Sequence, residues 1–206
     1  MSGEWDGFGA EFFIEGSSIE LPESVVHEAY REWEVKVYDW QTQCPTLAEP
    51  GENAMTYKNI KLLPTVGCEA DAATRYSIDE RNIGGVDNKV SAFAYQSSGF
   101  YSTVRPVAYN GTHKQWELEH CLINPLDKES RLRIIQVVLV DGTKFVLQNI
   151  RLFCEQWYGP FRNGDQFVDV LSVILHLLQH LPRKPLMFLV YGRGLMLLPI
   201  LMVLGM

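Results

Sequence analysis

The sequence has few cysteines, and they lie far apart. Its four cysteines, Cys44, Cys68, Cys121 and Cys154, form no C-x-x-C pair. Zinc ribbons and thioredoxin-like redox motifs both need such a pair, so the spacing fits neither. Isolated cysteines of this kind are typical of reduced thiols in a cytosolic protein.

Basic residues are also scarce. The chain has 18 lysines and arginines against 25 acidic residues, a net charge of -7. Nucleic acids and anionic membranes select basic surfaces, so neither is a predicted partner. The first basic residue is Arg31, so the N-terminal residues resemble neither a secretory signal nor a transit peptide. The predicted compartment is the cytoplasm, and a chloroplast location stays open if the true N-terminus is longer.

The common catalytic signatures are absent as well. The sequence holds no G-x-S-x-G, no glycine-rich phosphate loop, no H-E-x-x-H and no H-x-E paired with C-x-x-C. Glu117 and Glu119 lie two residues apart, but a charged outer strand face explains them better than acid–base catalysis does. We therefore predict no catalytic residue and no metal site.

Strand patterns dominate from Phe8 to about Tyr158. The run "WEVKVYDW" at 33–40 alternates apolar and polar residues, which predicts a half-buried strand. About nine such strands follow one another, joined mostly by short turns, and a short helix is expected between Leu21 and Tyr30. This pattern favours an all-β fold, an antiparallel barrel or sandwich.

Two dipeptides predict hairpin turns. Asn110-Gly111 joins "TVRPVAY" to "QWELEHCLI", and Asp141-Gly142 joins "RIIQVVLV" to "TKFVLQNIRLFCEQW". Both dipeptides suit the turns that connect antiparallel strands, because they tolerate positive φ angles. Pro106 precedes the first turn and indicates a sheet edge or a bulge there.

One arginine is expected on an apolar strand face. In "FVLQNIRLF" at 145–153, strand alternation places Arg151 on the side of Phe145, Leu147 and Phe153. A guanidinium in such surroundings needs a partner, and a tryptophan face is a common one. Trp5 lies near the start of the sequence and is ordered only if something packs on it. We therefore expect Arg151 to stack on Trp5.

These residues resemble a known signature. Gly3-Glu4-Trp5 resembles the G-x-W motif that opens lipocalin-like (calycin) barrels, in which a late-strand arginine, here matched by Arg151, packs on the tryptophan. The segments "EWDGFGAEFF" and "EQWYGPFR" are similar to a plant and cyanobacterial lipocalin-like family of unknown function. The resemblance covers 1–166 and implies an antiparallel β-barrel, with the chain as the N-terminal portion of a longer member as one option. The T-D-Y triplet of secreted lipocalins is absent.

The resemblance implies a small hydrophobic ligand, of fatty-acyl or tetrapyrrole type, inside the barrel. Trp116, Leu118 and His120 share one strand face and are the ligand-lining candidates. His120 could ligate haem, or orient a tetrapyrrole or an acid head group; the alternative is a hydrogen-bonded core histidine. No cofactor is predicted, although haem or bilin stays open.

Two other functions remain open at this stage. One is an enzyme acting on such a ligand, for example a pigment-related lyase. The other is a barrel with a packed interior and a structural or interaction role. The oligomeric state is not predicted.

The composition changes after Gln166. Residues 167–181 show a helical pattern, and 186–206 are almost entirely apolar and long enough to span a bilayer. Arg193, Gly192 and Pro199 oppose insertion, so membrane contact through 186–206, including a tail anchor, is open but not favoured. We predict a lipocalin-like domain at 1–166 and an apolar tail at 167–206, helical or poorly ordered, outside the fold.

Overall fold

Alternating side chains along most of the chain produce β-strands. The computed structural model describes residues 1–49, 51, 53–64, 73–85, 88–107, 114–141 and 143–164. Within these ranges lie ten strands and one short helix: β1 (Glu4–Phe13), α1 (Glu28–Glu32), β2 (Asp39–Gln43), β3 (Thr46–Glu49), β4 (Ala54–Pro64), β5 (Ala73–Ile83), β6 (Ala92–Tyr95), β7 (Tyr101–Val107), β8 (Lys114–Ile123), β9 (Ser130–Asp141) and β10 (Lys144–Gly159).

The strands form one antiparallel sheet that curls into a half-barrel. The first strand, β1, pairs with both β2 and the last strand, β10. From β10 the sheet continues through β9, β8 and β7 to β6, and from β2 it continues through β4 to β5. Strands β2 and β3 follow one another along the same edge of β4. In the described part of the chain no ladder joins β5 to β6. The prediction of a mainly antiparallel β fold is confirmed.

The predicted hairpins agree with the pairing of the strands. Strands β9 and β10 are antiparallel, with Asp141 opposite Lys144, so the predicted hairpin between them is confirmed, although Gly142 itself lies outside the described residues. Strands β7 and β8 also pair antiparallel, although Asn110-Gly111 itself lies outside the described residues. Pro106 is exposed and lies beyond the last β7 residue that pairs with β6, which agrees with the predicted sheet edge.

The strand predicted for 33–38 is wrong. Helix α1 ends there, with Trp33 as its C-cap, and β2 begins only at Asp39. The backbone N–H of Glu34 bonds to the carbonyl of Arg31, and that of Val35 to the carbonyl of Tyr30. These two bonds form a Schellman-type helix end, and Glu34 takes the left-handed φ of 53° that this end requires. Local capping therefore overrides the alternating pattern.

Two apolar clusters lie at opposite ends of the concave face. At the Trp5 end, where β1 begins, the buried members are Trp5, Cys44, Met55, Tyr57, Ile83, Tyr101, Cys121 and Ile123. At the other end, Trp40, Leu63, Ile135 and Phe153 pack together. We call residues 14–38, which connect β1 to β2, the strap. Leu21 and Val25 of the strap pack on the second cluster.

After β10 the chain turns back toward β1. A carboxylate oxygen of Glu4 accepts hydrogen bonds from the backbone N–H groups of Arg162 and Gly164. The predicted tail, 167–206, lies past this point and outside the described residues. In the part of the chain that the structure describes, no helix has the length and apolar character to cross a membrane.

Candidate functional site

Charged side chains fill the middle of the concave face. The alternation of β8, β9 and β10 turns Glu117 and Glu119, then Arg131 and Arg133, then Glu155 to the same side. We call the full set the ion network; its members are Glu11, Asp79, Glu117, Glu119, Glu155, Arg81, Arg105, Arg131, Arg133 and Arg151. Five carboxylates face five guanidinium groups, so the network is formally neutral.

Arg133 occupies the centre of the network and is fully buried. Its guanidinium donates to Glu155 at 2.8 and 2.9 Å, to Glu119 at 3.0 Å and to Asn59 at 2.5 Å. It also lies 4.6 Å from the ring centre of Phe153. A buried arginine is tolerated only when its donors are paired, and Arg133 meets that condition.

Glu119 is the matching acidic centre. Its carboxylate accepts hydrogen bonds from the hydroxyls of Tyr57 and Tyr101 and from Arg81 and Arg133. Burial alone would raise the pKa of Glu119, but the two guanidinium groups and the two hydroxyls outweigh it and hold the pKa at about 2. Glu119 is thus ionised at neutral pH and acts as a structural anion rather than a proton donor.

Trp5 stacks on an arginine, but the partner is Arg131 rather than Arg151. The guanidinium of Arg131 lies 4.3 Å from the centre of the Trp5 ring, and it donates to Glu155 at 2.6 Å. The indole nitrogen of Trp5 donates to the carbonyl of Met1 at 3.0 Å. The tryptophan is therefore held on both its face and its edge, which explains why it is ordered so close to the start of the sequence.

Arg151 lies too far along the sheet to reach Trp5. In the β1–β10 ladder Trp5 is opposite Trp157, whereas Arg151 is opposite Glu11. Six residues of strand separate Trp5 from Glu11, a distance of about 20 Å. Arg151 does face the concave side as expected, and it pairs there with Glu117 at 2.8 Å and with Glu11 at 3.4 Å.

Gly3 lies where no side chain fits. A Cβ added at Gly3 would come within 2.1 Å of the indole nitrogen of Trp157, and the residue has a φ of 149°. Its backbone N–H and C=O both bond to Thr46 at 2.8 Å. The glycine therefore lets the chain pass between Trp157 and β3, just before Trp5.

The ligand-lining candidates Trp116, Leu118 and His120 lie on the other, convex face of β8. They are half-buried, and Nδ1 of His120 is 2.8 Å from the hydroxyl of Ser102 on β7. The expectation that the Glu117 and Glu119 side is solvated is wrong, because Glu117 is 4% and Glu119 0% exposed. Ligand binding by His120 stays a prediction.

The sequence feature that indicates the buried position of Glu117 and Glu119 is charge complementarity between neighbouring strands. Glu117 and Glu119 are spaced by two, as are Arg131 and Arg133 on the next predicted strand. In a hairpin-linked sheet such rows lie side by side, and the pairing lets both rows be buried together. Hydrophobicity alone assigned these residues to the solvent.

Little space remains within the network itself. Between β5 and β7 a gap of about 10 Å³ is lined by residues that include Tyr57, Arg81, Thr103 and Arg105. That volume holds about one water molecule. Arg133, Glu119 and Glu155 are buried, so charged side chains occupy the middle of the concave face.

A larger cavity lies beneath the strap. It has a volume of about 280 Å³ and opens between α1, the start of β2 and the neighbouring strands. We call it the strap cavity; its lining residues are Phe8, Val26, His27, Tyr30, Val35, Lys36, Val37, Asp39, Trp40, Gln41 and Leu63. Apolar and aromatic side chains make up most of this wall.

Polar groups are few in the strap cavity. The indole nitrogen of Trp40 makes no hydrogen bond in the described structure, but it is fully buried over Gly9 and does not open into the cavity. Nδ1 of His27 accepts the backbone N–H of Ala29 at 3.1 Å, so a neutral His27 carries its proton on Nε2. Burial raises the pKa of Asp39 above its usual range.

Lys61 supports the Trp40 ring on the concave side. Its ammonium lies 3.9 Å from the centre of that ring, an ordinary distance for a cation–π contact. Burial, and then the nearby Arg151, lower the pKa of Lys61. The contact fixes the orientation of Trp40, which is the largest side chain in the cavity wall.

The cysteines do not form a site in the described residues. Cys44, Cys121 and Cys154 are all free thiols, and Cys68 lies outside the described ranges. Burial raises the pKa of Cys121 to about 12, which leaves it protonated and unreactive. Across the described residues, no three acidic, histidine or cysteine side chains are grouped to hold a metal ion.

Comparisons with protein-family models, with curated proteins and with solved structures find no match to this chain. The function is therefore argued from the geometry of the ion network and the strap cavity.

Proposed function

We propose that this protein binds a small, mostly apolar molecule in the strap cavity. The observation that carries the proposal is the cavity itself, with a volume of about 280 Å³ and a largely apolar and aromatic wall. Ligand sites have this character, with a few polar groups to orient the ligand, and begin at about 300 Å³. The site differs from the one expected from sequence, because the ligand lies under the strap rather than inside the sheet.

The volume limits the ligand. A cavity of about 150 Å³ holds one benzene molecule, so the strap cavity suits roughly twice that volume. A medium-chain fatty acyl group or a fused pair of aromatic rings is of this size, whereas a tetrapyrrole is too large to be enclosed.

The finer fold that we propose is a lipocalin-like barrel. Support comes from the order of the strands, in which β1 pairs with β10, and from the arginine stacked on the tryptophan of Gly3-Glu4-Trp5. That arginine comes from β9 rather than from the strand after it. A cytoplasmic location stays a prediction, while a lyase activity, and haem or bilin binding away from the strap cavity, stay open alternatives.

A second candidate is a packed-interior domain with a structural or interaction role. The ion network favours it, since buried charged side chains occupy the middle of the concave face and a gap beside them holds about one water molecule. In that case the strap cavity holds only solvent, and apolar ligands leave the melting temperature unchanged.

Thermal melting with a ligand panel separates the two candidates. We expect decanoic acid and 2-naphthol to raise the melting temperature and to quench tryptophan fluorescence, whereas a linear tetrapyrrole does not. In Val26→Phe the added ring fills the cavity, and both effects should be lost. Leu122→Phe, at an exposed position on the convex face, is the matched control. No shift in the unmodified protein, or an equal shift in Val26→Phe, would refute ligand binding in the strap cavity.

A further inference from the structure

The strap carries exposed apolar side chains among carboxylates. Trp33 is 60% and Val35 46% exposed, although both are large apolar residues. The neighbouring Glu28, Glu32 and Glu34 are also exposed. We call these five residues the strap face. An exposed tryptophan beside exposed aliphatic surface is characteristic of protein-binding surfaces.

The charge of the strap is strongly one-sided. Residues 14–38 contain six glutamates against only Arg31 and Lys36, and Lys36 is paired with Glu20 at 3.1 Å. The strap thus carries a net charge of about -4, more than half of the -7 of the whole chain. Elsewhere in the fold the carboxylates of the ion network are neutralised by arginines, whereas those of the strap face project into solvent.

This charge selects the occupant. An anionic membrane or a nucleic acid would be repelled, and a second copy would bring the same negative strap face. A basic segment with apolar residues satisfies both features, because its cations face the glutamates while its apolar side chains cover Trp33 and Val35. We propose that the strap face is the docking surface for a basic, amphipathic segment of a partner protein.

The surface is connected to the strap cavity. The rings of Tyr30 and Trp33 meet edge to face with centres 6.2 Å apart, and Tyr30 and Val35 also line the cavity. Because Trp33 contacts Tyr30, a partner that covers Trp33 should also affect the wall of the cavity. The docking surface stands independently of the proposed ligand site, but if both exist, each should change the affinity of the other by the same factor.

Binding of a labelled peptide to the full chain tests the docking surface. The probe is a peptide of about 14 residues with lysine and leucine at helical spacing, and its comparison replaces each lysine with glutamate. Fluorescence anisotropy should show binding of the lysine peptide only, weakened at least about fivefold between about 50 and 300 mM salt. Hydrogen exchange should slow at 27–37.

Variants locate the contact. Glu28→Lys with Glu32→Lys should weaken binding about tenfold, and Trp33→Ser about fivefold. The matched controls are Glu49→Lys with Glu129→Lys, which make the same change in net charge, and Leu126→Ser, whose side chain is 93% exposed at the Trp5 end. All the positions are exposed, so the fold should tolerate these changes.

Four results would overturn the proposal. The first is no binding of the lysine peptide. The second is equal weakening by the control variants, which would mean attraction by overall charge alone. The third is self-association that Trp33→Ser abolishes, which would make a second copy the occupant. The fourth is binding to phosphatidylcholine vesicles that Trp33→Ser abolishes, which would make a lipid surface the occupant.

Discussion

At the scale of single residues, Asp6 is the carboxylate least suited to its surroundings. It is buried beside Glu4, and one of its oxygens has no hydrogen-bond partner in the described structure. Burial, then Glu4 and Glu155, raise the pKa of Asp6 to about 7. The folded state therefore holds this proton more tightly than the unfolded chain, whose pKa is about 4. Its contribution to stability is present at acidic pH and lost as the pH rises through about 7.

We expect Asp6→Asn to stabilise the fold at pH 8, by about 1–3 kcal/mol, because the amide cannot ionise. At pH 5 the folded Asp6 is still protonated and only the unfolded chain has ionised, so the gain should be smaller there and should grow as the pH rises through about 7. Urea unfolding at the two pH values measures the difference. Glu129→Gln, at an exposed position, serves as a comparison. A gain of the same size at pH 5 and pH 8 would show that ionisation is not the cause.

The Trp5–Arg131 stack gives a second expectation at this scale. In a double-mutant cycle, Trp5→Leu and Arg131→Lys should show a coupling energy of about 1–2 kcal/mol, because lysine keeps the charge but loses the planar stack. The same cycle with Arg151→Lys should give less than about 0.5 kcal/mol, since the two residues are far apart. Denaturant unfolding measures both. Coupling to Arg151 instead would contradict the strand register.

At the scale of elements, the end of α1 has a residue that its backbone does not favour. The left-handed position of a Schellman motif is usually glycine, whereas here it is Glu34 with a φ of 53°. Its side chain is exposed. The hydrogen bonds from Glu34 and Val35 keep the backbone in this conformation despite the strain.

Glu34→Gly should therefore raise the free energy of unfolding by about 0.5–1 kcal/mol. Glycine removes the strain of the left-handed conformation, but part of that gain is offset by the larger conformational entropy that glycine loses on folding. Glu32→Gly, two residues back at the last position of α1, should lower the free energy of unfolding by a similar amount. Chemical unfolding monitored by circular dichroism distinguishes the two. A loss of stability in Glu34→Gly would mean that the carboxylate makes a stabilising contact in the free protein.

The same elements show which features can be read from sequence. Asp141-Gly142 predicted correctly where β9 turns back into β10, because such a turn depends on the preferences of a few adjacent residues. The strand prediction for 33–38 was wrong because the alternating pattern is compatible with a strand. The hydrogen bonds that cap α1 cannot be inferred from a hydrophobic pattern. The prediction that Glu119 lies on a solvated face was wrong for a related reason, since its burial depends on Arg81 and Arg133, which come from two other strands.

At the scale of the whole molecule, the fold has charges where a small β-protein usually has aliphatic side chains. Neutralisation of carboxylates by arginines across β5, β7, β8, β9 and β10 makes this possible. Such an interior depends on each group having its partner, because one unpaired buried charge costs about 3–5 kcal/mol. It also links folding to pH, since protonation of the acidic groups breaks the pairing.

Because the ion network depends on ionised carboxylates, we expect the protein to unfold in acid. The pKa of Glu119 is held at about 2 and that of Glu155 is also lowered, whereas both are near 4.5 in the unfolded chain. Below pH 4.5 the unfolded state therefore takes up protons that the folded state does not bind. The contribution of these two carboxylates to the free energy of unfolding should be fully present above about pH 4.5 and should fall steadily toward pH 2. Asp6 acts in the opposite direction, so the acid effect is measured most cleanly in Asp6→Asn.

In that background, the urea midpoint should fall between pH 5 and pH 3 as Glu119 and Glu155 gain protons in the unfolded chain only. Glu119→Gln should unfold more easily at pH 7, by about 3–5 kcal/mol, because Arg81 and Arg133 lose their shared anion. Its midpoint should also depend less on pH, since one of the two depressed carboxylates is gone. Glu129→Gln, at an exposed position, should keep the full pH dependence. A midpoint for Asp6→Asn that stays constant down to pH 3 would mean that the buried carboxylates are not ionised in the folded protein, and would contradict the ion network.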